Sequence, residues 1–409
     1  MSPAAATLGA ALANVDATAW VLLIARIVVI FALLLVSVML AIWVERKVIA
    51  DMQTRIGPNR AGPFGVLITF ADGLKLFFKE GITPSTADLP VYLAAPVAAA
   101  VPALLAFAVI PFGTGVTIAG HLVPFQVSDL SVGILWVLAM ASLAVYGVVL
   151  AGWSSGSNYP LLGSIRSTAQ MVSYEVGMSL GLIAVLIFCG TLSMTGIVAA
   201  QAQHFDIAGL RWLPKWNAIV QFPALLIYVT AAIAETNRPP FDLPEAETEL
   251  VAGYHTEYSG IRFAMFYLAE YTHTITISAV AVTLFLGGWH GPVPSFAPWL
   301  WSIAWFAVKL LIVVYALVWV RATLPRFRYD RLMAFGWKVL IPVGLLWILI
   351  TGAIVALPAA TGWSPLRLTV AIGAGTVAVV GLLGPMVMGR PRGSMDADDG
   401  VGAPAGGVP

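Results

Sequence analysis

Of 409 residues only one is cysteine, Cys189, and it stands inside an apolar run. A single thiol excludes an internal disulfide, a cysteine-based zinc site and an iron–sulfur cluster held by this chain alone. The five histidines, His121, His204, His255, His273 and His290, show no metal-ligand spacing, so no metal site is expected. Any electron carrier must be held elsewhere. Charge is also scarce. Asp, Glu, Lys and Arg make up 10% of the chain and the net charge is +1, which offers nothing to a nucleic-acid partner. The first 19 residues hold no Lys or Arg. A secretory signal calls for a basic start, so a retained N-terminal helix is expected instead.

What is abundant is apolar. The chain is 60% hydrophobic, against about 45–50% for a soluble domain. The excess falls in nine long runs: 20–44, 90–112, 130–152, 170–195, 218–235, 263–288, 299–320, 337–357 and 366–388. Each can cross a hydrocarbon core of about 30 Å, and in lipid a helix satisfies its own backbone. The expected fold is an all-α polytopic membrane protein with about nine transmembrane helices, an interfacial amphipathic helix and long cytoplasmic loops.

Loops then alternate sides. Segments 45–89, 153–169, 236–262, 321–336 and the tail, with Lys338 at a helix edge, hold sixteen of the 21 Lys and Arg, whereas the opposite loops hold Arg211 and Lys215 alone. This split predicts an external N-terminus and cytoplasmic charged loops. The work of the protein is expected at that charged face.

Loop 45–89 contains tight Gly-Pro turns followed by a helical pattern over 64–80. Thr69, Asp72, Lys75 and Lys79 share one face, and Leu67, Phe70, Leu74, Phe77 and Phe78 cover much of the rest, as in a helix lying in the interface. It is either an inert anchor or a lid over something entering from the bilayer. After the polar loop 153–169, Glu175 is expected about 7 Å into a helix beginning near residue 170. An intramembrane carboxylate costs roughly 2.5–3.5 kcal/mol, which marks it as a functional candidate, or as an interfacial partner of Arg166.

The stretch "IAETNRPPFDLPEAETELVAGYHTEYSG" is the densest in acid: Glu235, Asp242, Glu245, Glu247, Glu249 and Glu257 crowd around one cation, Arg238. Pro239-Pro240 stops one helix, and Pro244 with Asp242 and Glu245 suits the start of another. Asp242, Glu245 and Glu249 then lie on one face, with Glu270 continuing the series. A solvated acidic face is the plain alternative, but the flanking aromatic and Pro residues suit a buried, proton-conducting cavity. Loop 321–336 carries four arginines, suited to anchoring or to docking a partner. Lys309, mid-span, is a further candidate for proton relay, while Arg26 can snorkel. The tail 389–409 has a disordered composition.

The runs "ERKV…RIGPNRAGPFG", "ADGLKLFFKE", "SSGSNYPLLGSIRSTAQMVSYEV" and the acidic stretch itself resemble the quinone-site membrane subunit of respiratory complex I, NADH:quinone oxidoreductase. The resemblance covers about 20–357, eight spans. It leaves 1–19 as an external segment, 358–388 as an additional transmembrane helix and 389–409 as a cytoplasmic tail. One departure is Ile68, where the family usually has Gln. The resemblance implies a subunit without its own redox centre, acting in a bacterial plasma membrane on menaquinone or ubiquinone. FMN and iron–sulfur clusters would lie in partner subunits of a hydrophilic arm, with antiporter-like and small membrane subunits alongside. It implies a quinone tunnel and docking face at Glu45, Arg46, Arg55, Arg60, Asp72, Arg238 and Phe241. It also implies a proton funnel at Glu175, Glu235, Asp242, Glu245, Glu247, Glu249 and Glu270. The rival readings are the related subunit of a membrane-bound hydrogenase or formate hydrogenlyase, and a stand-alone proton-coupled transporter.

Overall fold

A computed structural model describes residues 17–203, 214–242, 250–294, 296–361 and 373–375. The chain is helical, with one short hairpin, β1 Val116–Ile118 and β2 His121–Val123, beyond the third helix. The helices are α1 Ala17–Met52, α2 Ile68–Phe78, α3 Leu89–Ala106, α4 Gly133–Ser154, α5 Asn158–Cys189, α6 Met194–Ala200, α7 Asn217–Val220, α8 Phe222–Glu235, α9 Gly260–Phe285, α10 Pro298–Thr323, α11 Tyr329–Phe335 and α12 Ile341–Thr361.

Among the described residues seven helical segments are long and apolar enough to cross a membrane, with α11 and α12 joined into one through a π-helical turn at Gly336–Leu340. The run 218–235 appears instead as α7 and the 14-residue α8, broken at Gln221. The run 366–388 lies outside the described residues except for the helical 373–375. The protein is an all-α polytopic membrane protein.

Two helices are longer than hydropathy suggests. Helix α1 runs 36 residues, so Glu45 and Arg46 ride on a helix rather than in a loop. Helix α5 starts at Asn158, twelve residues before the expected 170, because Ser157 takes the extended conformation of a cap and Pro160 sits in the first turn. Glu175 is therefore about 26 Å from the helix start, not one or two turns in.

Small residues bring the helices close. A Cβ on Gly147 of α4 would lie 2.6 Å from the Ala99 backbone nitrogen of α3, so this crossing admits only glycine. Gly163 of α5 similarly lies against the backbone of the short 3-10 turn Gly253–His255, where an added Cβ would come 2.7 Å from Gly253 Cα. That contact folds the later part of the acidic stretch back onto the bundle. Helix α9 is buried along most of its length, between α3, α1 and α10.

Candidate functional site

The site forms where the turn after α8 meets α1, α9 and the end of α10. Gln170 of α5, with no exposed surface, donates its amide hydrogens to the carbonyls of Ala234 at 2.7 Å and Phe241 at 2.8 Å. These carbonyls are seven residues apart, so one side chain staples the turn closed. Asn237, in the left-handed region, adds a hydrogen bond to Ser167 Oγ at 2.9 Å, and Phe327 donates its backbone N–H to the Pro240 carbonyl. The turn is thereby forced to point Glu235 and Arg238 inward. Phe241 stacks on Phe327 and packs against Tyr174.

Arg238 joins two acids. Its Nη1 lies 2.7 Å from Glu45 Oε2 and its Nε 2.9 Å from Glu270 Oε1, while the guanidinium sits 4.0 Å above the Tyr271 ring. Burial by itself would lower the Arg238 pKa; the Glu270 carboxylate and the tyrosine outweigh it and hold it raised. Glu45, 5% exposed, also receives hydrogen bonds from Arg321 and, at 2.9 Å, from Tyr271 Oη. Tyr267 donates to Tyr271 at 3.1 Å. A buried carboxylate without such donors would be prohibitively costly; here its oxygens are occupied from three elements.

Three cavities meet at this network. One of about 20 Å³ is lined by Glu45, Arg238, Tyr271 and Arg321. One of about 60 Å³ is lined by Glu235, Asn237, Glu270 and His273 among alanines. One of about 100 Å³ is lined by Tyr254, His255, Phe263, Tyr267, Glu270 and Arg321. Glu270 borders the second and third, and Arg321 the first and third. Each has room and polar partners for at least one water, which needs about 10–15 Å³.

The other sequence candidates fall in distinct places. Glu235, 3% exposed, contacts His273 Nε2 at 3.2 Å. Asp242 is buried and contacts Arg326 at 3.3 Å. Glu175 accepts a hydrogen bond from Ser142 Oγ. It does not pair with Arg166, which lies nine residues, about 13 Å, away along the same helix and over the Tyr329 ring. Arg46 and Asp72 meet at 2.7 Å and tie α1 to the short helix α2. Arg55 and Arg60 are exposed and stand apart from the buried network. Glu245, Glu247 and Glu249 lie outside the described residues.

Lys309 is not with the acids. It points to the opposite end of α9, about 18 Å along α10 from Arg321, and donates to the carbonyls of Leu286, Gly288 and His290 at 2.7, 2.9 and 2.6 Å. Among the described residues no cluster of His, Cys, Asp or Glu is arranged to hold a metal ion.

Sequence reasoning missed Arg321 and His273. Arg321 reads locally as an anchor beside a span, and its partner Glu45 is 276 residues away. His273 carried a weak signal: it lies three residues after Glu270 and so shares its helix face.

The NADH dehydrogenase family model matches residues 25–352. The H subunit of NADH-quinone oxidoreductase from Frankia casuarinae is 53% identical over 335 residues, covering 81% of this chain and 72% of the relative. Its counterpart from Frankia alni is 53% identical over 336 residues, with the same coverage. The chain belongs to the NADH dehydrogenase family and, within it, to the H-subunit group of NADH-quinone oxidoreductase, a membrane component of respiratory complex I.

Proposed function

We propose that this chain forms the passage by which a quinone reaches its reduction site, and that the acids around Arg238 couple that reduction to proton translocation. The observation that carries this reading is Arg238 itself. It is a buried cation shared by Glu45 and Glu270 at the junction of three cavities. An anionic reduced quinone, or a proton arriving to neutralise it, changes the balance of charge there. Arg238 can then lean toward one carboxylate and release the other, because in a low-dielectric site such a shift is strongly felt.

On this reading α2 and the Arg46–Asp72 pair border the mouth of the passage, while Arg55 and Arg60 face the partner subunits. Glu235 with His273, and Glu175 beyond them, continue the acid series into the bundle. The charged loops face the cytoplasm of a bacterial cell. There they meet the hydrophilic-arm subunits that carry FMN and the iron–sulfur clusters, with antiporter-like subunits beside the chain in the membrane.

The test is Glu235→Gln in the assembled complex. Quinone-linked NADH oxidation and the accompanying proton translocation should fall at least about tenfold, a general acid–base contribution being worth 10²–10⁴. NADH oxidation by a soluble artificial acceptor should stay at the wild-type rate. Wild-type quinone-linked turnover and pumping in this variant would refute the role.

A further inference from the structure

The end of α9 opposite the acid network is built around a cation. Helix α9 stops at Phe285, yet α10 continues past it, with Lys309 eleven residues in from its own start at Pro298. The chain from Leu286 to His290 is therefore unwound beside the middle of α10. Gly287 and Gly288 adopt positive φ there. Unwound backbone within a bilayer survives only where its polar groups are satisfied by protein. Lys309, 7% exposed, gives all three ammonium hydrogens to carbonyls of this stretch, and sits 4.9 Å from the Trp216 ring. The last turn of α9 is closed in the same way. Gln201 donates to Thr283 O at 2.9 Å and Asn217 to Leu284 O at 2.7 Å, both side chains being buried.

Buried hydroxyls are spaced along α9 between the level of the acid network and this cage. Thr272, Thr276 and Thr283 repeat along one face of α9 and are fully buried. Thr272 and Thr276 hydroxyls find no hydrogen-bond partner among the described residues. Thr274 and Ser278 lie on the opposite face of α9, the one that carries Glu270, Ser278 donating to Thr274 O and Thr274 to Glu270 O. Carbonyls at an unwound helix end, facing the negative pole of the helix, are the groups that bind small cations in transporters.

We propose that Lys309 is a tethered cation that plugs this carbonyl cage and seals the acid network against proton leakage to the opposite face. Its ammonium occupies the position a hydronium or sodium ion would take. Its charge raises an electrostatic barrier beyond the α9 hydroxyls, as fixed cations do in proton-excluding pores. Its distance from the network suits a seal rather than a relay. The inference rests on the reading that the acid network is loaded with protons from the charged-loop side.

The experiment uses the assembled complex reconstituted into vesicles, with a pH step imposed in the absence of NADH and the internal pH followed by a dye. Lys309→Met and Lys309→Gln should dissipate the step roughly tenfold faster, as removal of a like charge from a low-dielectric path predicts. Lys309→Arg should stay tight. Adding Thr276→Val to Lys309→Gln should restore retention. Quinone-linked NADH oxidation should remain near wild type in each. If the charge-free variant Lys309→Gln holds the step as well as wild type, or the double variant leaks as fast as the single, the proposal is overturned. Failure of both neutral variants to assemble would reduce Lys309 to a folding element and equally overturn it. Passive decay needs no quinone chemistry, so this outcome is separate from that of Glu235→Gln.

Discussion

Arg238→Gln is the sharpest test of the network. The Arg238 side chain is 10% exposed and bridges Glu45 at 2.7 Å and Glu270 at 2.9 Å. Removing its charge does not affect the two acids equally. Glu45 keeps Arg321 and the Tyr271 hydroxyl, so it stays in place. Glu270 pairs with no other Lys or Arg among the described residues, and the two carboxylates are left without the cation between them. Breaking a buried pair by deleting one partner costs about 3–5 kcal/mol. Partial exposure of Glu270, 22%, lets water offset some of this, leaving roughly 2–3 kcal/mol of altered charge balance at the junction. At about 1.4 kcal/mol per decade this amounts to a thirtyfold to hundredfold loss of quinone-linked turnover. The assay is NADH oxidation by membranes with a short-chain quinone, normalised to oxidation by a soluble acceptor that bypasses the site and reports assembled complex. Arg238→Lys keeps the charge but not the fork that reaches both acids, so it should recover only part of the rate. A normalised rate in Arg238→Gln equal to wild type would break this chain of inference, since a cation worth several kcal/mol to its partners cannot be dispensable to a process that runs through them.

Two further outcomes follow from other parts of the chain. Arg60→Ala removes an exposed cation. It should weaken retention of the hydrophilic arm in salt-washed membranes, by under about 1 kcal/mol per lost contact at physiological ionic strength, and arm retention unchanged at all salt concentrations would show Arg60 to be a topological anchor only. His255 packs edge-on against Tyr254 and Phe263, and burial pushes its pKa down to about 4 from 6.5. A depressed histidine contributes stability that is complete above about pH 6.5 and is lost as pH falls toward 4. The wild-type complex should therefore lose melting temperature between pH 6.5 and 4 more steeply than His255→Asn, and identical slopes would contradict the burial of a neutral ring there.

Composition and hydropathy alone establish a membrane bundle, because runs of about 20 apolar residues have no other stable arrangement in lipid. They also mark Glu235, Asp242 and Glu270 as unusual, because carboxylates are rare in so apolar a chain. They do not reveal where helices extend past the hydrocarbon. Hydropathy registers the bilayer and not the helix, so Asn158–Ala169 reads as a loop although packing against α4 and the Gly253–His255 turn keeps it helical. They do not pair the charges either. Glu45, Arg238, Glu270 and Arg321 come from four separate elements, and no local spacing links them. Lys309 shows the same division: its mid-span position makes it look like a proton carrier, whereas the early end of α9 beside it commits its ammonium to three carbonyls. Which groups are chemically significant follows from composition and the cost of burying charge. Which of them touch is decided only when the helices pack, because a side chain reaches a few ångströms and the chain separates these partners by tens to hundreds of residues.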